Sequence, residues 1–254
     1  MKKSILITCL YLCLILIAPI FSTHDPRQTD ATNILQAPDT SHFFGTDNLG
    51  RDVYSRTLHG GQRTILLASA ALAIAVIPAL LLAMLNFISP AIVDKLVEIF
   101  LNAWLAFPSL LIALVILALS GRGFMPIAIA TGLAQLPYFL QVARSTFKQS
   151  QSHEYITAAK SLGASDWHIV ARHILPASRP TLMAYTGITF AYCIINSAAL
   201  SLLGLGGDPS IPDWGVMLAT GRTTFRVAPW TAFAPGIAIS LTVILINKLA
   251  DSLR

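Results

Sequence analysis

Charge is what this sequence has least of. Asp, Glu, Lys and Arg make up 11% of its 254 residues, whereas an ordinary soluble domain carries roughly a quarter. With 55% hydrophobic residues and a mean hydropathy of +0.68, that shortage excludes a soluble enzyme. Cysteine is scarce too: Cys9, Cys13 and Cys193 lie in apolar runs, have no CxxC or Cys/His spacing, and read as small apolar residues. The phosphate-cradling GxxxxGK[ST] loop of an ATPase is missing, so any energy for uphill transport has to come from another subunit.

What is present is a set of long charge-free intervals. They run over 4–24, 64–93, 99–121, 123–143, 180–207 and 227–247, and all 17 Lys and Arg and all 12 Asp and Glu fall between them. A bilayer span needs about 20 residues without a charge, so the expectation is an all-α polytopic membrane protein with six transmembrane helices. Six buried core helices of a soluble fold would have too little polar surface to cover them. The first interval follows Lys2 and Lys3 and could be a cleaved signal peptide. No small-x-small site stands after Ala18-Pro19-Ile20-Phe21, and a retained helix is expected.

The net charge of +5 is spread over several loops, which speaks for membrane orientation and against nucleic acid as a partner. With Lys2 and Lys3 in the cytoplasm, ten Lys and Arg fall inside and seven outside, a bias in the direction the positive-inside rule requires. Both termini are then cytoplasmic. The chain divides into a first helix (1–24), an extracytoplasmic segment (25–63) and a five-helix core (64–254) whose inner loop is 144–180.

The outer segment contains Gly45-Thr46-Asp47-Asn48-Leu49-Gly50-Arg51-Asp52, rich in turn residues, with Thr46 or Asp47 able to cap a short helix. Pro78, Pro108, Pro126, Pro137 and Pro235 fall in or near spans, where each removes a backbone hydrogen bond and favours a kink. No Asp, Glu, Lys, Arg or His lies deep in a span, which separates this chain from ion-driven carriers. Asn102, Gln135, Asn196 and Ser197 are the polar residues that could line a path or join helices. Nothing in the spans forms a catalytic constellation, and no catalytic residue, cofactor ligand or metal ligand is expected.

The inner loop reads as two short helices, broken at Gly163 and stopped before Pro176. Glu154 sits in the first turn of one, Asp166 opens the other, and Arg172 and His173 lie near the latter's end. Its pattern Glu154-Tyr155-x-x-Ala158-Ala159-x-x-x-Gly163-Ala164, followed by His173-x-Leu175-Pro176, resembles the cytoplasmic loop of permease subunits of binding-protein-dependent ABC importers. Two further stretches are similar to the second, C-type permease of the di- and oligopeptide or nickel branch. They are Gly45-Thr46-Asp47-x-x-Gly50-Arg51-Asp52-Val53-x-Ser55-Arg56, and Ser201-Leu202-Leu203-Gly204-Leu205-Gly206 with Pro212-x-Trp214-Gly215-Val216-Met217.

The resemblance runs along residues 43–251. It implies the ABC importer permease fold with a coupling helix at about 153–162, in which Glu154, Tyr155, Ala158, Ala159, Gly163 and Ala164 meet an ATP-binding subunit. It implies a second permease, two ATP-binding subunits holding ATP and Mg, a solute-binding protein, and residence in the bacterial inner membrane. Asp47, Arg51, Asp52, Asp208, Asp213 and Trp214 are then candidates for meeting the binding protein, the alternative being that these loops brace the helix ends. The cargo expected first is a di- or oligopeptide, and second nickel or a nickel chelate. The sequence departs from the family between the second and third spans: Asn86-Phe87-Ile88-Ser89-Pro90 is short, and Ile99 and Asn102 replace expected charges before Ala106-Phe107-Pro108. The short acidic tail of the family is also not found before Arg254. The rival readings are a non-transport membrane scaffold, which would not need the inner wedge, and an intramembrane enzyme.

Overall fold

The computed structural model describes residues 2–151 and 154–253, with the side chains of residues 2–5, 9 and 154 left aside. Ten α-helices lie among them. These are α1 (Lys2–Ile17), α2 (Val53–Ile88), α3 (Ala91–Leu105), α4 (Ser109–Ser120), α5 (Phe124–Gln151), α6 (Glu154–Ser161), α7 (Asp166–Ile169), α8 (Leu175–Leu200), α9 (Trp214–Thr224) and α10 (Trp230–Ser252). The protein is an all-α polytopic membrane protein.

Small residues decide where the helices meet. Ala71, Ala75, Ala79 and Ala83 recur every fourth residue along one stripe of α2 and are almost wholly buried, while Leu66, Ile77, Leu81 and Leu85 on the same helix are about half exposed. Lipid solvates leucine as well as protein does, so close backbone approach at small side chains is what joins membrane helices. α5 supplies the partner surface at Gly132, where a Cβ would stand 2.7 Å from the Ala71 carbonyl oxygen. Arg63 over the Phe124 ring and Arg144 on Asn86 continue the pairing at either end, so α2 and α5 run parallel. α1 returns antiparallel along α10, with Thr8 Oγ1 donating to the Leu245 carbonyl and Tyr11 joined to Thr242.

Four stretches are long and apolar enough to cross a bilayer: Val53–Ile88, Phe124–Gln151, Asp166–Leu205 and Trp230–Ser252. The expectation of six uniform spans needs correction at the third. Its window, 99–121, is not one helix but α3 and α4, bent by 89° at the break. Pro108 lacks an N–H and its ring disfavours helical geometry at Phe107, so the helix ends at Leu105 and restarts at Ser109. Pro78, Pro137 and Pro235, by contrast, lie within continuous helices.

Two boundaries also differ from expectation. α2 begins at Val53, well inside the segment assigned to the outer face, because Asp52 rather than Thr46 or Asp47 is the cap: its carboxylate accepts from the Ser55 N–H at 2.7 Å. The second inner helix does not stop before Pro176 but runs from α7 through a widened turn, Val170–Ile174, into α8. A π-type turn displaces the carbonyl that a proline ring would strike, and so lets the helix continue. Arg172 and His173 therefore lie in mid-helix.

Candidate functional site: an inner docking surface and an outer brace

One end, the inner one in the expected orientation, is built around α6. Its C-terminus is closed by two bonds, Gly163 N–H to the Lys160 carbonyl at 2.9 Å and Ala164 N–H to the Ala159 carbonyl at 3.1 Å, with Gly163 at φ +85°. This paired closure requires a left-handed residue, which glycine adopts without a Cβ penalty. Ser165 then caps α7 by accepting from the His168 N–H. The predicted break at Gly163 is thus a specific turn that reverses the chain between two helices.

Among the described side chains of α6, Ile156 alone is buried, at 1% exposure. It packs in a cluster with Ala143 and Phe147 of α5, Ile169 of α7 and Ile174 of the widened turn, with Ala159 and Ala164 against its edge. Tyr155, Ala158, Leu162 and Trp167 face outward, Leu162 at 88% exposure. Glu154 opens the helix, but its side chain and His153 lie outside the described residues. The result is a short helix whose described side chains reach the bundle through Ile156 and Ala159, with Tyr155, Ala158 and the adjoining Leu162 and Trp167 exposed among Thr157, Lys160 and Ser161.

The opposite end is closed by buried charge. Asp47 accepts from the backbone N–H groups of Leu49 and Arg51 at 2.9 and 3.0 Å and from Arg51 Nε at 2.7 Å. Arg56 lies 3.6 Å from the same carboxylate and donates to the carbonyls of Pro26, Pro209 and Ser210, while Arg51 also reaches Pro209. Two guanidinium groups therefore fasten the outer segment, the start of α2 and the loop after α8 together. Thr46 takes part as well, its hydroxyl accepting from Gln36 N–H and donating to the Asn33 carbonyl.

Asp213 caps α9 by accepting from Gly215 and Val216 N–H at 2.9 and 3.2 Å. Burial holds its carboxyl above the usual carboxylate range despite these bonds. Thr64 Oγ1 donates to it and accepts from the Trp214 N–H, and Trp214 Nε1 donates to the Thr57 carbonyl at 2.8 Å. Of the six residues considered for binding-protein contact, Asp47, Arg51, Asp52, Asp213 and Trp214 are buried within the chain and Asp208 is exposed. Asp208 bonds to Ser210, which holds its carboxyl below the usual range.

The residues considered for the pathway lie on three helices, α3, α5 and α8. Asn102 is exposed on α3, Gln135 is buried in α5, Asn196 is half-buried on α8, and the buried Ser197 hydroxyl donates to its own helix at Ile194. Among the described residues no hydrogen bond joins the four. Sequence reasoning missed Ile156 and a polar cluster at the inner ends of α2, α3 and α5. In that cluster Arg144 donates to Asn86 at 2.7 Å and to Asp94 at 2.5 Å, and Lys148 to Asp94 at 2.8 Å. The spacing of Arg144 and Lys148 on one helical face was the available signal.

Comparison with known proteins gives the family and the fold. Residues 71–254 match the family model described as "Binding-protein-dependent transport system inner membrane component". The dipeptide transport system permease protein DppC of Alkalihalophilus pseudofirmus is 32% identical over 99% of this chain and 83% of its own length. The probable D,D-dipeptide transport system permease protein DdpC of Escherichia coli is 33% identical over 99% and 84%. The glutathione transport system permease protein GsiD of Pectobacterium atrosepticum is 32% identical over 89% and 75%. In structure the chain is similar to the inward-facing MetNI methionine ABC transporter, with a TM-score of 0.64 at 14% identity, over 78% of this chain and 96% of that one. This likeness concerns the fold. By both sequence comparisons, the chain belongs to the family of binding-protein-dependent transport system inner membrane components.

Proposed function

We propose that this chain is one half of the membrane pathway of an ATP-driven importer of di- or oligopeptides. It pairs with a second permease of the same kind, two ATP-binding subunits that hold ATP and Mg, and an extracytoplasmic solute-binding protein. The end carrying α6 and both chain termini is cytoplasmic. Hydrolysis takes place in the partner subunits, since this chain has no phosphate-binding loop.

The observation that carries this reading is the α6 surface: a helix whose one buried member among the described side chains is Ile156, with Tyr155, Ala158 and the adjoining Leu162 and Trp167 exposed. When the ATP-binding subunits close, a helix seated on them moves, and Ile156 passes that movement to α5 and α8. The break between α3 and α4 is a further place where the spans can change angle. Peptide cargo is favoured because the three relatives named above carry dipeptide or glutathione names. Nickel has no counterpart in those names.

The test is uptake of a labelled dipeptide by a strain lacking this chain, complemented with the chain or its variants. Ala158→Trp and Gly163→Pro are expected to insert normally and to abolish uptake while ATP hydrolysis by the complex continues. Full uptake by both variants would favour the scaffold alternative.

A further inference from the structure

Three residues far apart in sequence, His24 after the first apolar helix, His42 in the outer segment and Asp52 at the cap of α2, place one ligand atom each within 4.8 Å of the others. The two imidazole rings stack with centroids 4.7 Å apart. His42 Nδ1 lies 2.9 Å from Asp52 Oδ1, and His24 Nδ1 lies 4.0 Å from Asp52 Oδ2. The Asp52 side chain is 1% exposed, that of His42 12% and that of His24 38%, so the carboxylate forms the floor and the His24 side is open to the medium.

We propose that His24, His42 and Asp52 bind a divalent transition-metal ion of the zinc class at the outer face. Two imidazoles and a carboxylate are a donor set suited to zinc, with a fourth position left for water or an exogenous ligand. Ligand atoms around a tetrahedral zinc stand about 3.3 Å apart, so closing the cluster requires shifts of about 1 Å. His24 is the exposed member, and it makes them by giving up the bond that its Nδ1 shares with the Thr23 hydroxyl at 3.0 Å. The other two are already placed: the Ser55 N–H holds Asp52 Oδ2 at 2.7 Å, the Asp52 carboxylate holds the His42 ring at 2.9 Å, and Asp39 fixes the His42 backbone through its N–H at 2.6 Å. Such outer bonds fix ligand orientation in metal sites.

The ion is not a cargo in this assignment. It lies in the brace, and it ties the chain leaving the first helix to the start of α2. Binding therefore locks the outer segment and raises the unfolding temperature, because the unfolded chain holds no preformed site.

The experiment uses the full chain with its partner subunits, purified through a tag without histidine and stripped with a chelator. Titration with Co2+ is expected to show one ion per chain with the visible absorption of a low-coordinate site, displaced by one equivalent of Zn2+. His24→Ala leaves the Asp52 cap and the His42 contact in place and is expected to weaken Zn2+ binding by about tenfold or more. His42→Asn serves as a second variant with the same expectation. No stoichiometric binding by the unmodified chain, or unchanged affinity in both variants, overturns the assignment. The latter result would place the metal on other histidines, such as the His168 and His173 pair, whose rings are 6.0 Å apart.

Discussion

The two ends of the molecule differ in how much charge they bury. At the outer end Asp47, Arg51, Asp52, Arg56 and Asp213 are all buried, and their hydrogen bonds go to groups of the same chain. At the inner end the large apolar groups Leu162, Trp167 and Tyr155 stay exposed, and the ion pair of Lys160 with Asp166 is a surface one at 3.5 Å. Buried charge survives only where its bonds are satisfied, so the outer end is a closed structure. Exposed apolar surface beyond the apolar spans is what the proposed docking of a partner subunit would cover. The contrast separates a region closed by buried, hydrogen-bonded charge from one that leaves large apolar side chains exposed.

The largest effect is expected from breaking the outer end. Arg56→Met removes the group that joins three loop carbonyls, while Asp47 keeps Arg51, and stability is expected to fall by about 3 kcal/mol, hydrogen bonds to a charged group being worth about 1.5–3 kcal/mol each. Thermal unfolding in detergent checks this, and an unchanged transition would break the comparison. Ile156→Ala acts at the inner end. Loss of its packing costs about 2–5 kcal/mol locally, so amide exchange across α6 should rise at least tenfold and uptake should fall, with the exchange of residues 45–57 unaltered.

The smallest effect concerns Asp213. Its folded-state carboxyl titrates above the unfolded value of 3.8 because burial disfavours the anion. A raised value means that its contribution is fully present below the unfolded value and is lost as pH rises through the folded one. Asp213→Asn keeps an acceptor for Gly215 and Val216 and removes the titration. The stability of the unmodified chain relative to this variant should therefore decline with rising pH, measured as the difference in unfolding temperature along a pH series. A difference that does not change with pH would show the carboxylate to be better solvated than its burial indicates.

Much of this was legible before any coordinates. The charge-free intervals located the apolar helices, since the cost of a charge in hydrocarbon acts on each residue separately. Gly163 was legible as a break because a left-handed turn selects glycine. The early start of α2 was not, because an interval without charge marks hydrocarbon and not helix: Arg56 and Arg63 lie within α2 but are answered by loop carbonyls and by the Phe124 ring. Nor was the 89° bend in the third window, since Pro108 breaks its helix whereas Pro78, in the same chain, does not.

The sequence by itself determined the class of the molecule, the apolar segments and the inner helix–turn–helix, all of which depend on local composition and spacing. Tertiary structure alone decided which charged residues are buried and what they bind. Arg56 meets carbonyls of Pro26 and Pro209, and His24 meets His42 and Asp52, through contacts between segments that the chain order keeps apart. Hydrogen bonds and ligand sets are formed by distance in space, and that distance exists only after the helices have packed.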